Sequence, residues 1–373
     1  MAASVLAILI LLSCTAFAGD PITRLSQRLS SGDIKLEFQL GGLGYLPSLL
    51  QQLDVPVDSQ VLVFAKNSFQ AAKISPRTPR ALYFNDDVSV GFVPGGEYLE
   101  IAALDPIKGV VMYTLSTAQS TKPRFVPRDV ECAGCHGYSG DVTLTVTSVF
   151  PKPDGDPFLP VTGSQPLTID HRTPLSQRWG GWYVNGTPGP QHHMGNAVAL
   201  DPKHPLELTR VAGKADVTRY LAPTSDIVAL MTLEHQTHMI NLITRVSRIY
   251  RANRKDSAAI DELATYMLFA DEAPLTEPIH GISTFTESFA RRGPRDSRGR
   301  SLRDFDLKTR MFRYPLSYMI YSESFDAMPV AARDLTYRRL YDALSSKRNG
   351  EDRRAVLEIL RETKTNLPAY WRH

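Results

Sequence analysis

Ala81-Leu82-Tyr83-Phe84-Asn85-Asp86-Asp87-Val88-Ser89-Val90-Gly91-Phe92 reads as two short strands folded about an Asn-Asp-Asp turn. Apolar, β-branched and aromatic residues fill the two runs, and the polar triplet supplies the turn chemistry between them. The same texture extends outward in both directions. Ile34 to Phe38 and Val61 to Phe64 precede it; Tyr98 to Ala102, Val110 to Leu115 and Val142 to Val149 follow, with Pro94-Gly95-Gly96 as a further turn. From Asp33 to about Phe150 the chain therefore reads as mostly β.

Beyond this region the pattern changes twice. Pro151 to Pro205 is rich in Pro, Gly and His with no sustained period, which predicts a long ordered loop stabilised by Trp179, Trp182 and Tyr183. From Ser225 the spacing becomes helical: Ile227, Leu230, Met231, Leu233, Ile240, Ile243, Val246 and Ile249 form one apolar stripe through Tyr250. Ile260 to Phe269, Asp326 to Ser346 and Asp352 to Thr363 read as further helices. The fold class expected is α+β, with a β-rich region over 19–205 and a mainly helical region over 206–373. The two halves can share one core.

The chain has 373 residues, 43% of them hydrophobic, and a formal net charge of +3. That is enough apolar material for a large core, and too little concentrated positive charge to indicate nucleic acid as a partner. Residues 1–18 differ from the rest: the apolar run Val5 to Leu12 followed by Ala16-Phe17-Ala18 predicts a secretory signal, and hence a periplasmic or otherwise exported protein. Leu11-Leu12-Ser13-Cys14 also resembles a lipobox, with Cys14 as the lipidated residue of a lipoprotein. The run is too short to span a bilayer, and no other segment is long and apolar enough to do so.

Cys132-Ala133-Gly134-Cys135-His136 carries the chemistry. A thioredoxin-like reading needs a core strand before the motif and a helix after it. Arg124 to Asp129 makes a poor strand, and Gly137-Tyr138-Ser139-Gly140 a poor helix start. A structural zinc site needs four ligands, and no second cysteine pair exists; a plain disulfide staple is the remaining alternative. The pentad resembles the haem-attachment site of c-type cytochromes. The resemblance implies one covalently attached haem c, with Cys132 and Cys135 as thioether anchors and His136 as the proximal iron ligand. It covers five residues, so it implies nothing about fold.

The nature of the opposite axial position divides the functions. The segment Arg178 to Asn196 ends its Gly- and Pro-rich course in His192-His193-Met194, which makes Met194 and then His193 the expected sixth ligand, with His192 behind them. A filled position implies an exported monohaem cytochrome-like electron-transfer protein that meets a redox partner protein. An open position implies a haem-dependent oxidoreductase or peroxidase-like enzyme using Arg178, Tyr183 or His193 as acid–base groups, or a haem-based sensor. Two further features are candidates. Met231, His235 and His238 share a helix face beside Glu234, in contact with the cofactor or simply hydrogen-bonded inside. Arg291 to Arg313 holds nine Lys or Arg against three Asp, a docking patch for an acidic redox partner, a partner for haem propionates or a solvated loop.

Overall fold

The computed structural model describes residues 19–138, 141–158, 167–201, 203–204, 207–211, 215–346 and 350–372. The side chains of Ala133, Cys135, Tyr138 and Asp141 lie outside the described set, as do the expected signal segment 1–18 and Cys14. The architecture is α+β, as the texture of the sequence predicts.

The chain enters through α1 (Pro21–Ser31), whose ends are written in its sequence. The Asp20 carboxylate accepts the amides of Ile22 (2.8 Å) and Thr23 (3.1 Å), Pro21 occupies the first turn, and Gly32 takes φ +82° at the exit. After α2 (Leu46–Gln52) come six strands: β1 (Val61–Val63), β2 (Arg80–Phe84), β3 (Val88–Phe92), β4 (Tyr98–Asp105), β5 (Gly109–Ser116) and β6 (Phe125–Pro127). Each pairs antiparallel with the next, in a meander with Asn85-Asp86-Asp87 turning β2 into β3. A seventh strand, Trp182–Tyr183, closes the edge beside β1.

Strand alternation gives this sheet two working faces. Leu62, Ala81, Tyr83, Val90, Phe92, Leu99, Ile101 and Leu115 form a core with Ile22 and Leu25 of α1 and Leu46, Leu49 and Leu50 of α2. The other face presents Val61, Val63, Phe84 and Met112 to α4 (Ile227–Arg251). Glycine at 91, in the middle of β3, has a specific reason: a Cβ there would lie 2.8 Å from Nε of Arg80, which crosses this position to pair with Glu100 of β4 at 3.0 Å.

Helix α4 is buried over most of its circumference because it lies between the sheet and the remaining helices. These are α5 (Ser257–Met267), α6 (Phe285–Arg291), α7 (Glu323–Asp326), α8 (Val330–Leu344) and α9 (Glu351–Thr363). The fully buried Asp226 caps α4 at Val228 N (2.8 Å) and binds the amides of Ile282 (2.7 Å) and Ser283 (2.8 Å), tying the start of the helix to the loop before α6. The larger core takes residues from both sides of position 206, from Val61 and Trp179 to Leu340 and Trp371, so the β-rich and helical regions pack as one body.

Three expectations are modified. Ile34–Phe38 is not a strand, with Glu37 N donating to Ser48 Oγ at 3.0 Å and Phe38 packing edge-on to Tyr45. Val142–Val149 is not a continuous strand, because a side-chain amide replaces a neighbouring strand at Leu144. Asn241 of α4 donates to Leu144 O (2.6 Å) and accepts from Leu144 N (2.9 Å). Trp182–Tyr183, expected within a loop, is a sheet strand.

Candidate functional site

The Cys132-Ala133-Gly134-Cys135-His136 pentad lies in an eight-residue helix, α3 (Asp129–His136). A helix this short is marginal by itself and needs anchoring at both ends. At its start, Asp129 Oδ1 accepts Met112 N (2.8 Å) and Arg128 N donates to Met112 O (2.8 Å), pinning it to β5. Arg128 adds a bond from Nε to Thr114 Oγ1 (3.1 Å) and an ion pair with Glu131 (3.0 Å). At its end, Thr143 returns onto His136: Thr143 N and Oγ1 donate to His136 O at 2.7 and 3.0 Å. Cys132 and His136, at i and i+4, share one face of the helix, and the Cys135 backbone lies within the same turn.

The His136 ring is specifically oriented. Its Nδ1 lies 2.9 Å from the Thr143 carbonyl oxygen. A carbonyl only accepts, so Nδ1 carries the proton and Nε2 presents the lone pair. Burial pushes the His136 pKa down, against the raising effect of the Thr143 carbonyl; Arg80 lowers it further and Glu100 raises it. The ring is therefore neutral at neutral pH, the form that binds a metal. The Arg80–Glu100 pair whose charges act on it is mostly shielded, with side chains 20% and 13% exposed. Half-buried Cys132 packs against the larger core. Beside it, a Cβ at Gly134 would meet nothing within 4 Å, which leaves open space along α3.

The expected distal residues occupy a different, tightly built segment. Met194 N donates to Arg178 O (3.0 Å), and Ser148 Oγ approaches Met194 Sδ at 3.6 Å. Glycine is required at 180, where a Cβ would lie 2.0 Å from Val149 O and 3.0 Å from Met194 Cε. The His193 ring meets Trp179 edge-on at 5.4 Å, accepts Gly195 N at Nδ1 (3.0 Å), and has its pKa pushed down to about 4, chiefly by burial. His192 is exposed. Among the described residues no hydrogen bond or ring contact joins His136 to His193 or Met194. One stretch of chain touches both sites: Thr143 at His136 and Ser148 at Met194 are five residues apart, a reach of at most about 18 Å.

Of the groups expected to serve acid–base chemistry, Arg178 is 2% exposed and committed to internal partners. Its Nε donates to Thr173 O (2.6 Å), Nη2 to His171 O (2.9 Å) and Nη1 to Glu234. The Tyr183 hydroxyl donates to Pro76 O (2.8 Å), and burial pushes its pKa up to about 12.

The α4 cluster is a buried network with partners that sequence spacing does not reveal. His235 joins His171, Nδ1 to Nδ1 at 2.8 Å, and Ser317 Oγ through Nε2 at 2.8 Å, while stacking on Phe269 and Tyr266. Burial holds both histidines well below their ordinary pKa. His238 meets Arg172 at 3.1 Å, which in turn pairs with Asp170. Among the described residues no group of three or more His, Cys, Asp or Glu could hold a metal ion.

The Arg291–Arg313 stretch is largely exposed over its first ten residues, and much of its charge is paired. Six of its nine basic residues form ion pairs: Arg295 with Asp304, Arg298 with Glu358, Arg300 with Asp296 and Glu358, Arg303 with Asp86, and Arg310 and Arg313 with Asp352. Arg303 also lies over the rings of Phe289 (4.6 Å) and Tyr318 (4.4 Å). Asp86, Asp352 and Glu358 lie outside the stretch itself. No described helix is long and apolar enough to cross a membrane.

No protein-family model, curated protein or solved structure matches this chain.

Proposed function

We propose that this chain is an exported monohaem c-type cytochrome-like protein that transfers electrons to or from a redox partner protein. Haem c would be attached through Cys132 and Cys135 and held at iron by His136. The observation that carries the reading is the 2.9 Å contact of His136 Nδ1 with the Thr143 carbonyl. A metal-binding histidine needs its second nitrogen fixed by an acceptor, and this bond leaves Nε2 as the ligating atom. The helical turn from Cys132 to His136 suits the group, since it brings Cys132 and the histidine to one face of a short helix with open space at Gly134.

When bound, the haem supplies a one-electron couple whose potential the axial ligands set. The protein's own residues then hold the ring neutral, orient it and limit water. Burial keeps His136 unprotonated, and Asp129, Thr143 and Asn241 fix the two ends of the attachment segment. The internal commitments of Arg178 and Tyr183 favour electron transfer over an acid–base enzyme. His136→Gly tests the ligand assignment. The ferric variant should lose the spectrum of the parent and recover a low-spin spectrum on addition of imidazole; a variant spectrum identical to the parent's would refute His136 ligation.

A further inference from the structure

The buried Arg178–Glu234 pair has an unexplained feature: its two residues are 2% and 0% exposed, and burial pushes the Glu234 pKa up to about 7 against the lowering effect of Arg178, a costly arrangement that well-packed apolar residues often replace without loss of stability. Its two carboxylate oxygens do different things. Oε1 accepts Arg178 Nη1, and Oε2 accepts Trp179 Nε1 at 3.1 Å. Trp179 is fully buried with φ +68°, a left-handed backbone that a bulky residue adopts only where its surroundings hold it. The bonded pair thus fixes two consecutive residues of the distal segment to the N-terminal third of α4.

These two residues also contact the candidate ligand pair. The Arg178 carbonyl receives Met194 N, the Trp179 ring supports His193, and Gly180 N donates to Ser148 Oγ (2.9 Å), the hydroxyl that meets Met194 Sδ. We infer that Glu234 is a positioning residue: through Arg178 and Trp179 it holds Met194 as the sixth ligand of a haem carried by His136. The inference rests on the cytochrome reading above and adds a residue that touches neither cofactor nor ligand. Met194 itself contributes only a weakly held thioether, so its persistence at iron depends on the loop that carries it.

Optical spectra and cyanide binding of the ferric holoprotein test this in three variants. Met194→Ala should abolish the thioether–iron charge-transfer band and open the site. Glu234→Gln keeps the shape but turns an amide NH2 toward one of two donors; it should weaken the same band and speed cyanide association at least tenfold. Leu340→Ala, a cavity in α8 buried in the helical layer, lowers stability and should leave both readouts at the parent's values. If Met194→Ala changes the spectrum and Glu234→Gln does not, or if Leu340→Ala mimics Glu234→Gln, the positioning role is overturned while the cytochrome reading stands. An unchanged Met194→Ala spectrum overturns the positioning role and the Met194 ligation together, whereas covalent haem retained in the Cys132→Ser, Cys135→Ser double variant would defeat the cytochrome reading and this inference with it.

Discussion

The helix α3 and the segment held by the Arg178–Glu234 network meet the two ends of the same stretch, Thr143 to Ser148, and are built in opposite ways. Helix α3 is short, lies on the surface of the sheet, and is held by a few bonds at its ends: Asp129 to Met112, Thr143 to His136, Asn241 to Leu144. The network is interior, with Arg178, Trp179, Glu234, His171 and His235 all at most 2% exposed. A segment meant to present reactive side chains must leave them accessible. A segment meant to hold one backbone path is served by bonds that only that path can make.

The largest effect separating the two should come from Glu234→Leu, which strands the Arg178 guanidinium in the interior. Urea unfolding should report a loss of about 3–5 kcal/mol, most of it recovered in the double variant with Arg178→Met. If the single variant is as stable as the parent, the network is not under the constraint described. Asn241→Leu should cost less, about 1–3 kcal/mol, because it leaves one donor and one acceptor of Leu144 without partners. Its distinguishing sign is local: hydrogen exchange should accelerate around Leu144 and α3 and stay unchanged at Trp179. Equal acceleration in both places would erase the comparison.

The smallest expected effect is an acid dependence at His193. Burial holds its folded-state pKa at about 4, below the roughly 6.5 of an unfolded histidine. The unfolded chain therefore takes up a proton first as pH falls through 6.5, and stability is lost between about 6.5 and 4. The full linkage at pH 5 is about 2 kcal/mol, and partial exposure of the ring reduces it to about 1 kcal/mol. In His193→Gln the loss of stability from pH 7 to pH 5 should be smaller than in the parent by that amount; an identical loss would place the titration elsewhere.

How much of this was legible in the sequence follows from where each partner lies along the chain. The meander, α4 and the attachment pentad are local patterns, and α1 announces itself through Asp20, Pro21 and Gly32 once its caps are sought. Glu234 and Arg178 are 56 residues apart and Arg303 and Asp86 are 217 apart, so neither pairing has a sequence signal. Counting charge within Arg291–Arg313 misses part of its pairing for that reason: three of the acids that meet it, Asp86, Asp352 and Glu358, come from the β2–β3 turn and from α9. Trp182–Tyr183 is a strand because β1 offers it an edge, and two residues carry no period of their own. The His136–Thr143 bond is made by a backbone carbonyl, which any residue at 143 would supply.

The central claim is covalent attachment at Cys132 and Cys135. The decisive measurement is haem-dependent peroxidase staining after denaturing electrophoresis, on protein exported in a host that attaches haem c. The parent should keep its stain through denaturation, and Cys132→Ser combined with Cys135→Ser should lose it. A parent without stain, or a double variant that retains it, would contradict the account.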